Sequence, residues 1–409
     1  MSELRTLLGD TQLLAILMVF CWLTALLNIA YTYLPEKTQW LPQSSFIISV
    51  FHATPFWFWT RLFGAIFPTM HFYQTGPEFI VSESVSGVAF NDIGSAMILT
   101  FTIACLLMPL LTDYGFMEFI GTLLKPIFRK MFKLPGQAAI DGMASIAAAA
   151  GVGVIITINQ YRNGFYTLRE ASIVSTNFSI CSIPFSVVVA EMAGIEQFFP
   201  WYLTGLFCCF VCVFITPRTP PLSRIPQTYA PIGKQLHEED NDSRHIFRQA
   251  LSAAMQRAAK QPGFRGGFDT AIKSVMEVSF GVISAALCLI IVAMIVINET
   301  PIIAWLTMPF IPMLEFLQIP EANAAAPGLL MGFADQFLPA VVAGNISSPI
   351  TKFVLAGLSL TQLIFMTEMG ILILKSELPL NAWQLFIIFV TRTIIVLPIY
   401  TLSANWLVH

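Results

Sequence analysis

Between Pro135 and Ala193 the chain is apolar enough to lie in a membrane, yet polar residues and glycines interrupt it at short intervals. Pro135-Gly136 opens the stretch, Asp141-Gly142-Met143-Ala144-Ser145 follows, and small residues run from Ala147 to Gly153. Tyr161-Arg162-Asn163-Gly164, Arg169-Glu170-Ala171 and Thr176-Asn177-Phe178-Ser179-Ile180 break the remainder. Polar groups at bilayer depth are costly unless they line a site or bury against protein. A second stretch of the same kind runs from Pro327 to Lys375, and the rest of the sequence reads as a frame around the two.

The membrane assignment rests on composition: 56 % of the 409 residues are hydrophobic and 11 % are charged, against about 25 % charged in a soluble domain. Cys21, Cys105, Cys181, Cys208, Cys209, Cys212 and Cys288 all fall in apolar stretches. They are expected to be small buried hydrophobes rather than disulfide partners or metal ligands. Segment 12–30 is long enough to remain as a span instead of being cleaved as a signal peptide.

Further spans are expected at about 93–112, 171–192, 200–216, 275–297, 353–374 and 382–402, with 302–318 interrupted by Pro309 and Pro312. The aromatic-rich stretch from Phe46 to Tyr73 reads as interfacial or re-entrant, with spanning as the alternative. Tyr114 to Lys133 predicts an amphipathic surface helix. Within the hydrophilic loop 217–273, Ser243 is placed to cap a second one reaching Lys260.

Charge supplies an orientation. Arg5, the 125–133 cluster, Arg162, Arg169, nine residues between 218 and 273, and Lys375 make seventeen of the 21 Lys and Arg on one side. The positive-inside rule makes that side cytoplasmic, with a cytoplasmic N-terminus. Pro135 and Thr176 are 41 residues apart, and Pro327 and Thr367 are 40 apart. The two stretches therefore read as a repeat, and the charge pattern gives them opposite orientations. Inverted broken-helix units are the arrangement of secondary transporters, in which helix ends inside the bilayer aim backbone groups at a ligand.

Leu134-Pro135-Gly136, Ile140-Asp141, Ser145, Arg169-Glu170-Ala171 and Thr176-x-Phe178-Ser179 resemble the bacterial YjiH family, which carries the nucleoside recognition or Gate domain. That domain is shared with spore-maturation membrane proteins, ferrous-iron permeases and concentrative nucleoside transporters. The resemblance implies paired re-entrant hairpins, each followed by an interrupted transmembrane helix, and a nucleoside-like solute. It also implies either a homo-oligomer, by analogy with nucleoside transporters, or a small Gate-domain partner, by analogy with spore-maturation proteins. The Gln-Thr-Glu cluster of nucleoside transporters is missing between Asp141 and Ala150, and the phosphate-binding loop of an iron permease is missing altogether.

Candidate site residues come from both stretches. Asp141 and Ser145 share a helical face and suit a cation, a proton or a ligand hydroxyl, or else cap a hairpin end. Thr176, Asn177 and Ser179 are more polar than helix packing requires. Asp335-Gln336 and Asn345 with Ser347 bracket the second hairpin and form its tip and entry, where Asn345 and the serine either contact solute or satisfy turn backbone. Thr367 and Glu368 are matched to Thr176 and Asn177. Glu368 is expected to be protonated or paired with Arg392, an intramembrane charge.

The expectation is an all-α polytopic membrane protein with two inverted units, each holding a re-entrant hairpin and an interrupted transmembrane helix. Its parts are 1–92, an N-terminal span with the aromatic segment; 93–216, a first Gate-like unit; 217–273, a basic cytoplasmic loop; and 274–409, a second, inverted unit. It reads as a secondary transporter or solute-binding core for a small polar solute, coupled to H+ or Na+. The other reading is a non-transporting assembly factor acting with a Gate-domain partner. No enzyme activity, resident metal, cofactor or nucleic-acid partner is expected beyond the coupling ion and the lipid bilayer.

Overall fold

The computed structural model describes residues 10–33, 47, 50–51, 55–94, 106, 114–147, 150–178, 183–230, 246–260, 268–269, 271–273, 275–276 and 279–408. Among these the chain is helical, without strands; Thr167 and Tyr229 form an isolated bridge. The helices used below are α1 (Asp10–Tyr33), α2 (Pro55–Phe72), α3 (Phe116–Ile127), α4 (Gln137–Ala147), α5 (Ala150–Arg162), α6 (Leu168–Asn177), α7 (Ile183–Ala193) and α8 (Phe198–Ile215). Beyond them lie α9 (Ile246–Ala259), α10 (Ser284–Glu299), α11 (Ala322–Met331), α12 (Leu338–Gly344), α13 (Pro349–Thr361), α14 (Ile371–Leu374) and α15 (Ala382–Leu407). Gln12–Thr32, Phe198–Arg218 and Ala382–Leu407 are each long and apolar enough to cross a bilayer, as expected for 12–30, 200–216 and 382–402. The chain is an all-helical, multi-pass membrane protein.

Contacts divide it into two compact units, Met1–Leu107 with Phe268–Leu306, and Met108–Gly267 with Thr307–His409. In the first, α2 packs against both α1 and α10. Gly64 makes the second crossing possible: a Cβ there would stand 1.9 Å from the Ser284 carbonyl oxygen. Within the 46–73 stretch lies α2, whose buried Arg61 donates from Nη1 to Val50 O at 2.9 Å. The expected span 93–112 lies almost wholly outside the described residues.

In the second unit one order of elements occurs twice. Helices α4 and α5 pack as a hairpin, α6 ends with Phe178 as its C-cap, α7 begins at Ile183, and the long α8 comes next. Later, α11 and α12 form a hairpin, α13 ends at Thr361, a π-helical turn covers Met366–Gly370, and α14 and the long α15 follow. The spans expected at 171–192 and 353–374 are thus both interrupted helices. The Pro-Gly pairs that suggest the repeat do not occupy equivalent places. Pro135-Gly136 precedes α4, whereas Pro327-Gly328 lies inside α11.

Local chemistry fixes the start of the first interrupted helix. Thr167 Oγ1 accepts from Glu170 N at 3.2 Å while Glu170 Oε2 accepts from Thr167 N at 2.8 Å, a capping box that satisfies two free amides. Glu170 is used for this cap, and its sequence neighbour Arg169 donates from Nη2 to Pro217 O at 3.2 Å. Thr167→Ala is expected to lower stability by about 1 kcal/mol, seen as a lower apparent Tm in detergent.

The amphipathic helix expected at 114–133 is α3 extended by a π-helical turn, Phe128–Phe132. The helix expected to end at Lys260 is α9; its expected cap, Ser243, lies outside the described residues.

Candidate functional site

Helix α6 ends at Asn177, and every residue from Ala171 to Asn177 is buried. The carbonyls of a helix's last turn have no partner within the helix, and its C-terminus carries roughly half a negative charge. The Asn177 side chain closes this end: Nδ2 donates to Ile173 O at 3.1 Å and to Thr176 Oγ1 at 3.0 Å. Its Oδ1 accepts from Arg392 Nη1 at 2.8 Å, and the Thr216 hydroxyl is also within reach.

The second interrupted helix has the same end with different chemistry. Helix α13 stops at Thr361, whose carbonyl accepts from Arg392 Nε at 3.0 Å and Nη2 at 2.7 Å. Arg392 is wholly buried, about 15 Å along α15 from its first residue at 1.5 Å per residue. One guanidinium therefore sits between the C-terminal ends of two half-helices, each of which offers negative potential. That arrangement explains how a cation is held at this depth. The sequence suggests Glu368 as a counter-charge; the side chains of Thr367 and Glu368 lie outside the described residues. Cys209 Sγ is 4.0 Å from Nη2, and the described cysteines Cys208, Cys209 and Cys212 are buried free thiols.

Just beyond Thr361 the backbone turns out of the helix. Leu363 has φ +56°, a conformation that a branched side chain rarely adopts. Gln362, 3 % exposed, donates from Nε2 to Leu329 O and to Thr393 Oγ1, both at 2.9 Å. Its Oε1 has no hydrogen-bond partner among the described residues and packs on Gly332, where a Cβ would come within 1.9 Å. Met366 N donates to Phe333 O at 2.8 Å. The tip of the second hairpin is thereby tied to the second break. Backbone strain beside buried polar groups is a pattern that clusters at functional sites.

The other candidates fall around this junction or away from it. Thr176 Oγ1 donates to Ser172 O at 2.7 Å inside α6. Asp335 lies at the second hairpin's tip, its Oδ1 accepting from Phe337 N at 2.8 Å, with Gln336 beside it and half-buried. Phe337 packs edge-on against Phe185 of α7, 4.6 Å between centroids, so this tip borders the helix that resumes after the first break. Asp141 is buried in α4 and accepts a hydrogen bond from the Tyr166 hydroxyl. Its neighbour Gly142 lies beside Phe178: a Cβ added to the glycine would stand 3.5 Å from Phe178 Cβ.

Asn345 and Ser347 are exposed, at the turn between α12 and α13. There the Glu321 carboxylate accepts from Ser347 N at 3.4 Å and Ser348 N at 2.7 Å, closing the turn. The side chain of Ser145 and all of Ser179 lie outside the described residues.

Residues 95–196 match the family described as nucleoside recognition, the Gate domain. An uncharacterized protein of Alkalihalophilus pseudofirmus is 42 % identical over 395 residues, covering 96 % of this chain and 84 % of the relative. Among solved structures, a doubly substituted CNTnw in an outward-facing state gives a TM-score of 0.47 at 14 % identity, covering 100 % of this chain and 99 % of that one. CNTnw in an intermediate state gives 0.43 at 14 % identity, with 98 % and 96 % covered.

Fold and sequence together define a multi-pass membrane protein with a nucleoside-recognition domain. The chain belongs to the Gate-domain family that includes the Alkalihalophilus pseudofirmus protein. The resemblance drawn from the motifs between Leu134 and Ser179 holds at that level.

Proposed function

We propose that this protein is a secondary transporter, or the solute-binding core of one, for a small polar and nucleoside-like solute. The observation that carries the reading is the pair of interrupted helices whose buried ends, Asn177 and Thr361, meet at Arg392 beside a hairpin tip. Helices that stop inside the bilayer place backbone and amide groups where a solute can use them. The two hairpin-and-broken-helix modules are taken as inverted repeats in an inner membrane, with the 217–273 loop and the N-terminus cytoplasmic. H+ or Na+ is the coupling ion, with Asp141, Asp335 and Glu368 as the carboxylates available to it. No chemical conversion of the solute is proposed, and a homo-oligomer is the expected assembly.

The test is ligand-induced thermal stabilisation of the purified protein against nucleosides, amino acids, small peptides and divalent metals, with and without sodium, at two pH values. A ligand that binds only the folded state raises apparent stability by about 2.7 kcal/mol at a hundred times its Kd. The expected result is a nucleoside hit that Asn177→Ala and Glu368→Gln abolish. A blank panel on well-folded protein would sink the transporter reading and favour an assembly factor, detectable as a co-purifying partner lost on deleting 234–265.

A further inference from the structure

Helix α9 carries two faces that the transport reading leaves unused. Its inner face is fixed to α3: Ala250 is buried, and a Cβ at Gly115 would lie 2.3 Å from Ala254 O. Phe247 meets Phe119 edge-on at 5.6 Å, and Arg257 Nε stands 3.4 Å from Glu118 Oε1. On the outer face Leu251 and Met255 occupy successive turns and remain 46 % and 63 % exposed, and Phe247, at the edge of the α3 contact, is itself 61 % exposed. Arg248 lines a shallow groove together with Leu251, Ser252, Met255 and Gln256.

We propose that α9, with the basic end of α3, lies in the headgroup layer of one leaflet and binds anionic phospholipids. Charge names the occupant. Residues 116–133 and 246–260 hold seven basic side chains, Lys125, Arg129, Lys130, Lys133, Arg248, Arg257 and Lys260, against one acid, Glu118, which already faces Arg257. An apolar row bordered by Arg and Lys on a helix without acids is the pattern of an in-plane helix on an anionic leaflet. A second copy would bring the same positive face and be repelled.

The surface also has a route to the candidate site. Helix α3 packs on α4, with Gly121 against Ile140, and its π-helical extension places Phe128 and Phe132 on Phe178 at 4.7 and 5.7 Å between centroids. Phe178 directly follows Asn177. Lipid binding at α9 therefore bears on the first break. That coupling rests on the proposed transport site, whereas the binding itself does not.

The experiment uses the full chain in nanodiscs of phosphatidylcholine alone or mixed with phosphatidylglycerol, with an environment-sensitive fluorophore at Leu251→Cys. The described native cysteines are buried and should resist labelling. The expected result is blue-shifted emission, quenched by brominated acyl chains more strongly with phosphatidylglycerol. Arg248→Glu combined with Lys260→Glu should bring the quenching ratio between the two membranes to about one. Amide exchange of α15 serves as the folding control. Unlabelled wild-type protein should also show slower exchange over 246–259 with phosphatidylglycerol.

A water-exposed label in both membranes overturns the proposal, as does equal quenching in both. A label shielded without lipid quenching overturns it too, because a protein partner or a second copy then covers the face.

Discussion

Arg392→Ala is expected to destabilise the protein by about 3–5 kcal/mol, the range found when one partner of a buried charged interaction is removed. Three hydrogen bonds from a charged donor disappear together, two to Thr361 O and one to Asn177 Oδ1, and such bonds contribute about 1.5–3 kcal/mol each. The acceptors left behind are buried, so water cannot replace the guanidinium. Two helix C-termini would also face each other with nothing between them.

Arg392→Lys keeps the charge but replaces a planar fork with a compact ammonium, so it should fall between alanine and wild type. Thermal unfolding in detergent reads the effect. The double variant with Asn177→Ala should be less damaged than the sum of the singles, by at least about 1 kcal/mol. A wild-type Tm for Arg392→Ala would show that the junction is not held this way.

The second large effect is expected at Gly357. Glycine to alanine inside a helix ordinarily stabilises by about 0.5–1 kcal/mol; here the sign should reverse. A Cβ at Gly357 would stand 2.3 Å from Cε1 and Cζ of Tyr400, and one at Gly205 would stand 2.8 Å from the hydroxyl oxygen of the same ring. Tyr400 is fully buried and fits between two glycine notches, one on α8 and one on α13. Because α13, α8 and α15 pack as a group, the ring cannot move without opening their crossing. Gly357→Ala should therefore cost about 1–3 kcal/mol, the range for overpacking a core. Tyr400→Leu in the same chain should return part of the loss. Stabilisation by Gly357→Ala alone would contradict this packing.

Much of this architecture is visible in the residues. Proline, glycine and the small-residue run around Ala147 announce a hairpin, and Thr176-Asn177 in an apolar stretch announces polar business at depth. Arg392 stands out as an arginine inside a span. The second break is harder to see because its chemistry is carried by backbone. Thr361-Gln362-Leu363 offers one amide side chain to mark the interruption, and nothing in a leucine signals a positive φ. Residue letters consequently align the repeat through Thr367-Glu368, whereas by position at the end of the interrupted helix Leu360-Thr361 corresponds to Thr176-Asn177.

The same blindness conceals part of Arg392's environment. A carboxylate is the partner that residue letters suggest, while the Thr361 carbonyl becomes an acceptor only because a helix ends there. Glu321 escapes notice for a related reason: it closes a turn 26 residues away in sequence.

The joint at Arg392 also sets a schedule for biosynthesis. Asn177 and Arg392 are separated by 215 residues, which at about 5–20 residues per second takes roughly 10–40 s to translate. Throughout that interval α6 has emerged with its terminal dipole and amide lacking their cation. The first half of the second unit must wait, held by the insertion machinery or still in contact with water, until α15 arrives to finish it. The last long helix is therefore the piece that lets the earlier ones settle, and a chain stopped before it should be handed to quality control rather than to the membrane.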